Sequence, residues 1–172
     1  MTVYKIAETE RLTLRPTLVE DAEFIFELLN TPKWLKYIGD RNVKSVENAR
    51  EYITSKMFPQ LERLGYGNYT VIRQSDHLKI GVCGLFDREG LEGIDIGFAF
   101  LPEYENNGYA FESVNKLKQM AFDEFGLKEI NAITTKDNIS SQRLLEKLGL
   151  KLNGTTFIPN DEKELLLYKI KI

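Results

Sequence analysis

Five consecutive residues near the middle of the chain have the types and spacing that suit contact with an anion. They follow the apolar run GIDIGFAFL, precede a helical pattern, and are Asn106, Asn107, Gly108, Tyr109 and Ala110. The first turn of a helix offers N–H groups without partners and a partial positive charge, which together suit a phosphate. The small residues Gly108 and Ala110 would let a phosphate approach the backbone closely.

Two nucleotide-binding motifs can be excluded for this segment. A Walker loop needs a lysine after its last glycine, and a dinucleotide-binding loop needs GxGxxG, so neither motif is present here. An ordinary helix start with small residues is the remaining alternative. Two further segments bear on the choice, because both adjoin predicted strands: GIDIGFAFLP, which contains Asp95, and NISSQRLLEKLGL, which runs from Asn138 to Leu150.

The elements that must position these segments follow from hydrophobic periodicity. Alternating and apolar runs predict seven strands, at RLTLRP, NYTVIRQ, LKIGVCGLFD, EGIDIGFAF, EINAITT, LKLNGTTFI and KELLLYKIK. Helical spacing predicts about four helices, one of them interrupted near Pro59 and ended by Gly65. The order of one strand, two helices, three strands, then α-β-α and two strands favours a mixed α/β fold. No repeat or linker divides the chain, which predicts one domain over residues 1–172.

Composition narrows the class of protein. The chain has 172 residues, a formal net charge of −3, one cysteine (Cys83) and one histidine (His77). These counts exclude an internal disulfide, a CxxC site and a histidine-cluster metal site, and they argue against a Ser-His-Asp triad. The acidic total predicts no nucleic-acid or membrane partner. We read no signal peptide or membrane-spanning run in the sequence, and we expect a cytoplasmic protein.

Three motifs together resemble those of the GNAT superfamily of acetyl-CoA-dependent N-acetyltransferases. The segment ENNGYA is similar to the family's Q/R-x-x-G-x-G/A loop, and DIGFAFLP is similar to E-I-G-Y-x-L-x-P. The segment from Asn138 to Leu150 matches N-x-x-S/A-x-x-L-x-E-K-L-G-F except for the final leucine, and it is the most specific of the three. With the opening TERLTLRP, the resemblance covers nearly the whole chain and is greatest to the RimJ/RimL-like branch, which acetylates ribosomal-protein N-termini.

The resemblance implies a fold and a cosubstrate. The fold is a mixed, mostly antiparallel seven-stranded sheet, flanked by about four helices, with a splayed central pair of strands. Acetyl-CoA would lie in the splay, with its pantetheine arm along the backbone of Phe98, Ala99 and Phe100 and against Asn138. Its pyrophosphate would take the N–H groups of residues 106–110. No metal is implied, and the chain would act as a monomer or a homodimer.

The resemblance also implies catalytic roles. Asp95 occupies the family's glutamate position and would accept a proton from the attacking amine, directly or through water. Ser141 would donate a hydrogen bond to the departing thiolate. The acceptor would be a protein N-terminus or a small-molecule amine, and Trp34, Tyr37, Tyr66 and Tyr69 are candidates to line its pocket.

Each of these roles has a structural alternative. Asp95 could instead pair with a neighbouring arginine or cap a turn, Asn138 could simply end a strand, and Ser140 or Ser141 could cap the following helix. The four aromatic residues could all belong to the core.

Two positions depart from the family pattern. Glu105 replaces the usual glutamine or arginine, and Leu145 stands where some relatives carry a catalytic tyrosine. With aspartate in place of glutamate at position 95, these departures leave a second hypothesis open: a non-catalytic acyl-CoA-binding or sensing protein with the same fold.

Overall fold

A computed structural model describes residues 3–172 and contains one mixed sheet of eight strands in the order β1-β2-β3-β4-β5-β6-β8-β7. Every neighbouring pair is antiparallel except β5 and β6, which are parallel. The strands are β1 Ala7–Glu8, β2 Leu12–Pro16, β3 Asn68–Arg73, β4 Leu78–Phe86, β5 Asp95–Phe100, β6 Glu129–Thr135, β7 Lys151–Thr156 and β8 Leu165–Lys171. The seven predicted strands are present. The eighth, β1, has two residues, too few to show an alternating pattern.

In the described part of the chain six α-helices flank the sheet, where about four were predicted. They are α1 Ala22–Leu29, α2 Pro32–Tyr37, α3 Val46–Tyr52, α4 Phe58–Leu64, α5 Tyr109–Asp123 and α6 Ile139–Lys147. The long second helix of the prediction is divided into α3 and α4 by a π-helical turn, Ile53–Met57, just before Pro59. Proline lacks the N–H that a continuous α-helix needs, which explains a break here. Gly65 ends α4 with φ +82°, as predicted.

The additional helix, α2, lies in what the sequence predicted to be a link. Six residues are too few for a helical period to be recognised, although the local start signals are present. The Thr31 side chain accepts a hydrogen bond from Trp34 N at 3.3 Å, and Pro32 stands at the first position. This arrangement is typical of a capped helix start.

The core is built on both faces of the sheet. Because side chains alternate along a strand, Val82 of β4 packs in a cluster with α1 and α3, whereas Cys83 packs in a second cluster with α5 and α6. Asp21, fully buried before α1, binds the sheet through two hydrogen bonds of 2.8 Å from Arg15 and an ion pair with Lys79. Among residues 3–172, no helix is long and apolar enough to cross a membrane.

The centre of the sheet is opened at one pair of strands. β4 pairs with β5 along all six residues of β5, whereas β5 and β6 are paired at a single position, Asp95 with Asn131. Beyond Asp95 the two parallel strands separate, so the edge of β5 that faces β6 has no strand partner among the residues described. This is the splayed central pair that the sequence resemblance implies.

Candidate active site

A cavity of about 620 Å³ occupies the region where β5 and β6 separate. The backbone residues predicted to hold a pantetheine arm, Phe98, Ala99 and Phe100, all line it. Their other edge is occupied by β4, where Phe98 pairs with Cys83 and Phe100 with Gly81. The glycine at position 81 is required, because a Cβ there would lie 2.3 Å from the Phe100 ring.

The predicted phosphate loop lies at the carboxyl end of β5 and forms the start of α5. Gly108 is the residue before the helix and has φ +81°, a conformation that side chains with a Cβ rarely adopt. The N–H groups of residues 106–111 have no acceptor within the described part of the chain. An uncommitted run of N–H groups at a helix start is a suitable site for a phosphate.

The side chains of this loop differ in how they relate to the cavity. Asn106, Gly108, Tyr109 and Ala110 line it. Asn107 does not: its side-chain amide donates to the Glu105 carbonyl at 2.8 Å and stabilises the turn. The predicted coenzyme contact of Asn107 is therefore limited to its backbone.

Glu105, which had no evident role in the sequence, has a partner in the fold. Its carboxylate lies 2.8 Å from the Lys33 ammonium, at the start of α2. This ion pair offsets the negative charge that Glu105 would otherwise place beside a phosphate, and it holds α2 against the loop. Sequence reasoning could not find it, because the two residues are 72 positions apart.

A second cation next to the loop was also missed. The Arg11 guanidinium lies 4.4 Å from the centre of the Tyr109 ring, and a Cβ on Gly108 would lie 3.3 Å from Arg11 Nη2. Glu112, in the first turn of α5, holds Arg11 in place by accepting from its backbone N at 2.8 Å and its Nε at 2.7 Å. The predicted strand at RLTLRP gave no indication that its first residue would lie beside the loop.

Asp95 lies where the two parallel strands begin to separate. Its side chain is almost fully buried, with 1% of the residue exposed, yet it lines the cavity. The Arg88 guanidinium donates to both carboxylate oxygens, each at 3.2 Å. Burial raises the pKa of Asp95 above its ordinary value, and the nearby Arg88 charge opposes this increase only in part. The alternative role considered for Asp95, pairing with a neighbouring arginine, is thus present alongside a position in the site.

Arg88 is held in turn by the residues beneath it. Its guanidinium carbon lies 5.6 Å from the centre of the Phe86 ring. That ring occupies space left by two glycines, since a Cβ on Gly84 or Gly97 would lie 2.4 Å or 3.1 Å from it. The sequence contained one indication of this arrangement, an arginine seven residues before Asp95 in the connection between β4 and β5.

At the other wall of the cavity, the start of α6 supplies two predicted site residues. Asn138 Oδ1 accepts from Ser141 N at 3.3 Å, so the residue that caps the helix is Asn138, not Ser140 or Ser141. Within the described residues, the Asn138 side-chain NH₂ and the Ser141 hydroxyl have no hydrogen-bond partner, and both residues line the cavity. Each therefore retains a donor that a bound molecule could use. Leu145, which also lines the cavity, is 1% exposed and supplies no hydroxyl.

Part of the cavity lining is aromatic. Trp34, Tyr37, Tyr52 and Phe86 form it, and the indole N–H of Trp34 is buried without an acceptor among residues 3–172. Of the four aromatic residues predicted for an acceptor pocket, Trp34 and Tyr37 are therefore in the site. Tyr66 and Tyr69 belong to the core, with 8% and 1% exposed, which is the alternative considered for them from the sequence. In the same described range, no group of three or more His, Cys, Asp or Glu residues is arranged to hold a metal ion.

A cavity between splayed parallel strands, with a helix start suited to phosphate and a buried carboxylate in its lining, agrees with the site that the GNAT resemblance implies. The chain matches the family described as Acetyltransferase (GNAT) domain over residues 11–151, and it belongs to that family. It is 31% identical over 153 residues to the uncharacterized N-acetyltransferase YoaA of Bacillus subtilis (strain 168), covering 88% of this chain and 86% of the relative. The predicted class of enzyme, an acetyl-CoA-dependent acetyltransferase, is confirmed at this level.

Solved structures agree on the fold. An acetyltransferase (GNAT family) from Bacillus anthracis superposes with a TM-score of 0.79 and 26% identity, covering 97% of this chain and 98% of that one. RimL, a ribosomal L7/L12 alpha-N-protein acetyltransferase in complex with coenzyme A, has a TM-score of 0.81 at 18% identity, covering 98% of both chains. The mixed α/β fold is confirmed. The narrower RimJ/RimL-like assignment stays a prediction, because so distant a relative shares the fold alone.

Proposed function

We propose that this protein transfers an acetyl group from acetyl-CoA to a primary amine by direct attack of the amine on the thioester. The observation that carries the proposal is the opening of the β5 edge between the free N–H groups of the 106–111 segment and the buried carboxylate of Asp95. At roughly 3.3 Å per residue, β5 separates Asp95 from the end of the strand by roughly 17 Å, which suits an extended cosubstrate arm.

Binding of acetyl-CoA would rely chiefly on the backbone. The N–H groups at the start of α5 would donate to the pyrophosphate, with Arg11 beside them as a charge partner. The free edge of β5 at Phe98 to Phe100 would pair with the pantetheine amides, as a further strand would, and the Asn138 NH₂ would donate to the same arm. Backbone recognition accommodates the departure at Glu105, whose side chain is engaged by Lys33.

The chemical step requires a neutral amine, because an ammonium has no lone pair with which to attack. An α-amino group has an ordinary pKa of ~7.7–8.0, so at neutral pH much of it must lose a proton first. Asp95 is the base we assign, directly or through water. Burial raises its pKa, which makes its carboxylate a stronger base than that of an exposed aspartate, and Arg88 opposes part of that increase.

Bond formation and bond breaking can then be assigned to named groups. Once Asp95 has taken the ammonium proton, the amine nitrogen bonds to the acetyl carbonyl carbon, and a backbone N–H near Phe98 stabilises the oxyanion. The second proton of the nitrogen passes to water. The C–S bond breaks, and the coenzyme leaves as a thiolate. The unpartnered Ser141 hydroxyl would donate to that sulfur. With Leu145 in place of a tyrosine, Ser141 is the hydroxyl we assign to this role.

The test is amine-dependent release of CoA thiol in the presence of acetyl-CoA, with binding of acetyl-CoA measured separately by calorimetry. We expect Asp95→Asn to lower kcat by about 10²–10⁴-fold, the usual contribution of a positioned base, with acetyl-CoA affinity unchanged within about twofold. Asp95→Glu keeps a carboxylate and is the matched variant, which should retain most of the rate. An unchanged rate for Asp95→Asn at neutral pH would show that Asp95 is not the base.

One observation supports a second candidate, an acyl-CoA-binding or sensing protein without turnover. Both oxygens of Asp95 already accept from Arg88, and Leu145 offers no acid. The same pair of measurements separates the two functions, because a sensing protein would bind acetyl-CoA tightly and release no CoA with any amine.

The finer expectations stay predictions. They are an acceptor that is either a protein N-terminus, as in the RimJ/RimL-like branch, or a small amine; a single domain over residues 1–172; a monomer or homodimer; and a cytoplasmic location.

A further inference from the structure

The cavity carries a charge opposite to that of the protein. Six cationic side chains line it against three carboxylates, although the chain as a whole has a formal net charge of −3. The cations are Lys33, Arg41, Lys56, Arg88, Arg143 and Lys147, and the carboxylates are Asp95, Glu105 and Asp161. Two of the carboxylates are already paired, Asp95 with Arg88 and Glu105 with Lys33. The cavity therefore favours an anion over a cation.

The cavity cations that have no carboxylate partner within residues 3–172 are Arg41, Lys56, Arg143 and Lys147, and they lie on three different segments. α2 begins at the Lys33–Glu105 contact beside the loop, and its six residues extend roughly 9 Å at 1.5 Å per residue. Arg41 follows the far end of that helix, whereas Arg143 and Lys147 are on α6, next to the coenzyme residues. Arg41 therefore belongs to a different segment from the residues assigned to the coenzyme.

Arg41 is also uncommitted. It is partly buried, and within residues 3–172 its guanidinium has neither an ion-pair nor a hydrogen-bond partner. The adjacent carboxylate does not serve it, since Asp40 lies 3.0 Å from the Lys44 ammonium and accepts from Asn42 N at 2.7 Å. A guanidinium with its donors free is the side chain that binds a carboxylate most specifically, through two parallel hydrogen bonds.

The cavity that Arg41 lines also has apolar and aromatic surface. Trp34, Tyr37, Tyr52 and Phe86 line the cavity with Arg41, and Ile38 and Met57 add aliphatic surface. Such a surface suits a molecule with an apolar body and few polar groups.

We propose that the acceptor is an α-amino acid with an apolar or aromatic side chain, and that Arg41 binds its carboxylate. This inference rests on the proposed function, since it assigns the second substrate of the same site. The amine would face Asp95, the apolar side chain would lie against the aromatic surface, and the carboxylate would pair with Arg41. A polyamine is disfavoured as the acceptor, because its several ammonium groups would need several carboxylates. Among the described residues, Asp161 is the only cavity carboxylate without a cationic partner.

The experiment compares matched acceptors in CoA release with wild-type enzyme: L-phenylalanine and L-leucine, their amides, phenethylamine, and spermidine. We expect kcat/KM to be highest for the free amino acids. Arg41→Gln should lower kcat/KM for the acids by about 10–100-fold, the usual contribution of a charge-assisted pair, and for the amides by less than about threefold. Arg50→Gln, an exposed arginine of α3 outside the cavity, is the control and should leave every value unchanged.

For each enzyme we take the ratio of kcat/KM for the acid to kcat/KM for the amide. Comparing this ratio between wild type and Arg41→Gln cancels the intrinsic difference in reactivity between the two amines. The proposal is overturned if wild type prefers the amides or spermidine, or if Arg41→Gln lowers acids and amides equally. A preference for the amides would favour a peptide N-terminus as acceptor. If Arg41→Gln weakens acetyl-CoA binding as much as it lowers kcat/KM for the acids, Arg41 contacts the coenzyme, and the proposal is likewise overturned.

A binding measurement separates this proposal from the proposed function. Calorimetry of L-phenylalanine and phenylalaninamide against the CoA-loaded protein does not depend on turnover. If no amine releases CoA but the acid binds more tightly than the amide and Arg41→Gln abolishes that preference, acetyl transfer fails while the Arg41 site stands. If neither compound binds and neither reacts, the Arg41 site is overturned.

Discussion

Replacing Gly108 by alanine tests whether the start of α5 holds a pyrophosphate. Gly108 has φ +81°, where a residue with a Cβ costs about 1–2 kcal/mol more than glycine. The new Cβ would lie 3.3 Å from Arg11 Nη2, the end of a flexible side chain that can move aside. The backbone strain therefore accounts for most of the loss of stability, and the Cβ itself occupies the space through which a phosphate would reach the N–H groups.

Gly65 provides a matched control for the strain. It has φ +82° at the end of α4, a Cβ there would meet nothing within 4 Å, and the residue does not line the cavity. For a chain of this size, about 1–2 kcal/mol corresponds to a decrease in Tm of about 2–8 °C, and we expect it in both variants. Circular dichroism melts of Gly108→Ala and Gly65→Ala should thus agree closely.

Binding should separate the two variants. If the Cβ at position 108 displaces one charge-assisted hydrogen bond, about 1.5–3 kcal/mol is lost, and the Kd for acetyl-CoA rises roughly tenfold to hundredfold. Gly65→Ala should leave the Kd unchanged. Isothermal titration calorimetry at a temperature where both variants are folded provides the measurement. If the two variants bind acetyl-CoA equally, the assignment of the phosphate loop to residues 106–111 is refuted.

Two further predictions concern buried charges. Burial opposes the ionisation of Asp21, yet hydrogen bonds from Arg15 and Lys79 hold the pKa of its carboxyl well below the usual range. Its contribution to stability is therefore present above the unfolded pKa of about 3.9 and is lost as pH falls below it, so Asp21→Asn should cost about 3–5 kcal/mol at pH 7. Urea unfolding should show that difference shrinking below about pH 4, and a constant difference would contradict the assignment. Arg88→Gln removes the cation that lowers the pKa of Asp95, so the acid limb of the kcat–pH profile should move to higher pH; an unmoved limb would exclude Asp95 as the titrating base.

Much of the fold could be predicted because most of its elements have strong local patterns. The seven longer strands and the helices α5 and α6 were found from periodicity, and Gly65 marked the end of α4. The short elements β1 and α2 were missed, since two and six residues are too few for a period to be distinguished from chance. The omission of α2 mattered for the site, because that helix supplies Trp34 and Lys33 to the cavity.

The sequence by itself determined the parts of the site that depend on local backbone geometry. The start of α5 at a glycine with a left-handed backbone is such a property of a short segment. The sequence also located the start of α6, but its cap was not determined, because Ser140 and Ser141 were the candidates and the folded chain uses Asn138. The sequence pattern of the two segments was also enough to indicate the family.

Only the tertiary structure decided which charges these segments meet. Lys33 reaches Glu105 across 72 positions and Arg11 reaches Glu112 across 101. Asp40 pairs with Lys44, and Arg41 has no partner within residues 3–172. Charged side chains pair with whatever the packed sheet and helices bring within a few ångströms, and sequence separation carries little information about that distance. The charge of the cavity, and with it our choice of acceptor, therefore follows from the folded chain.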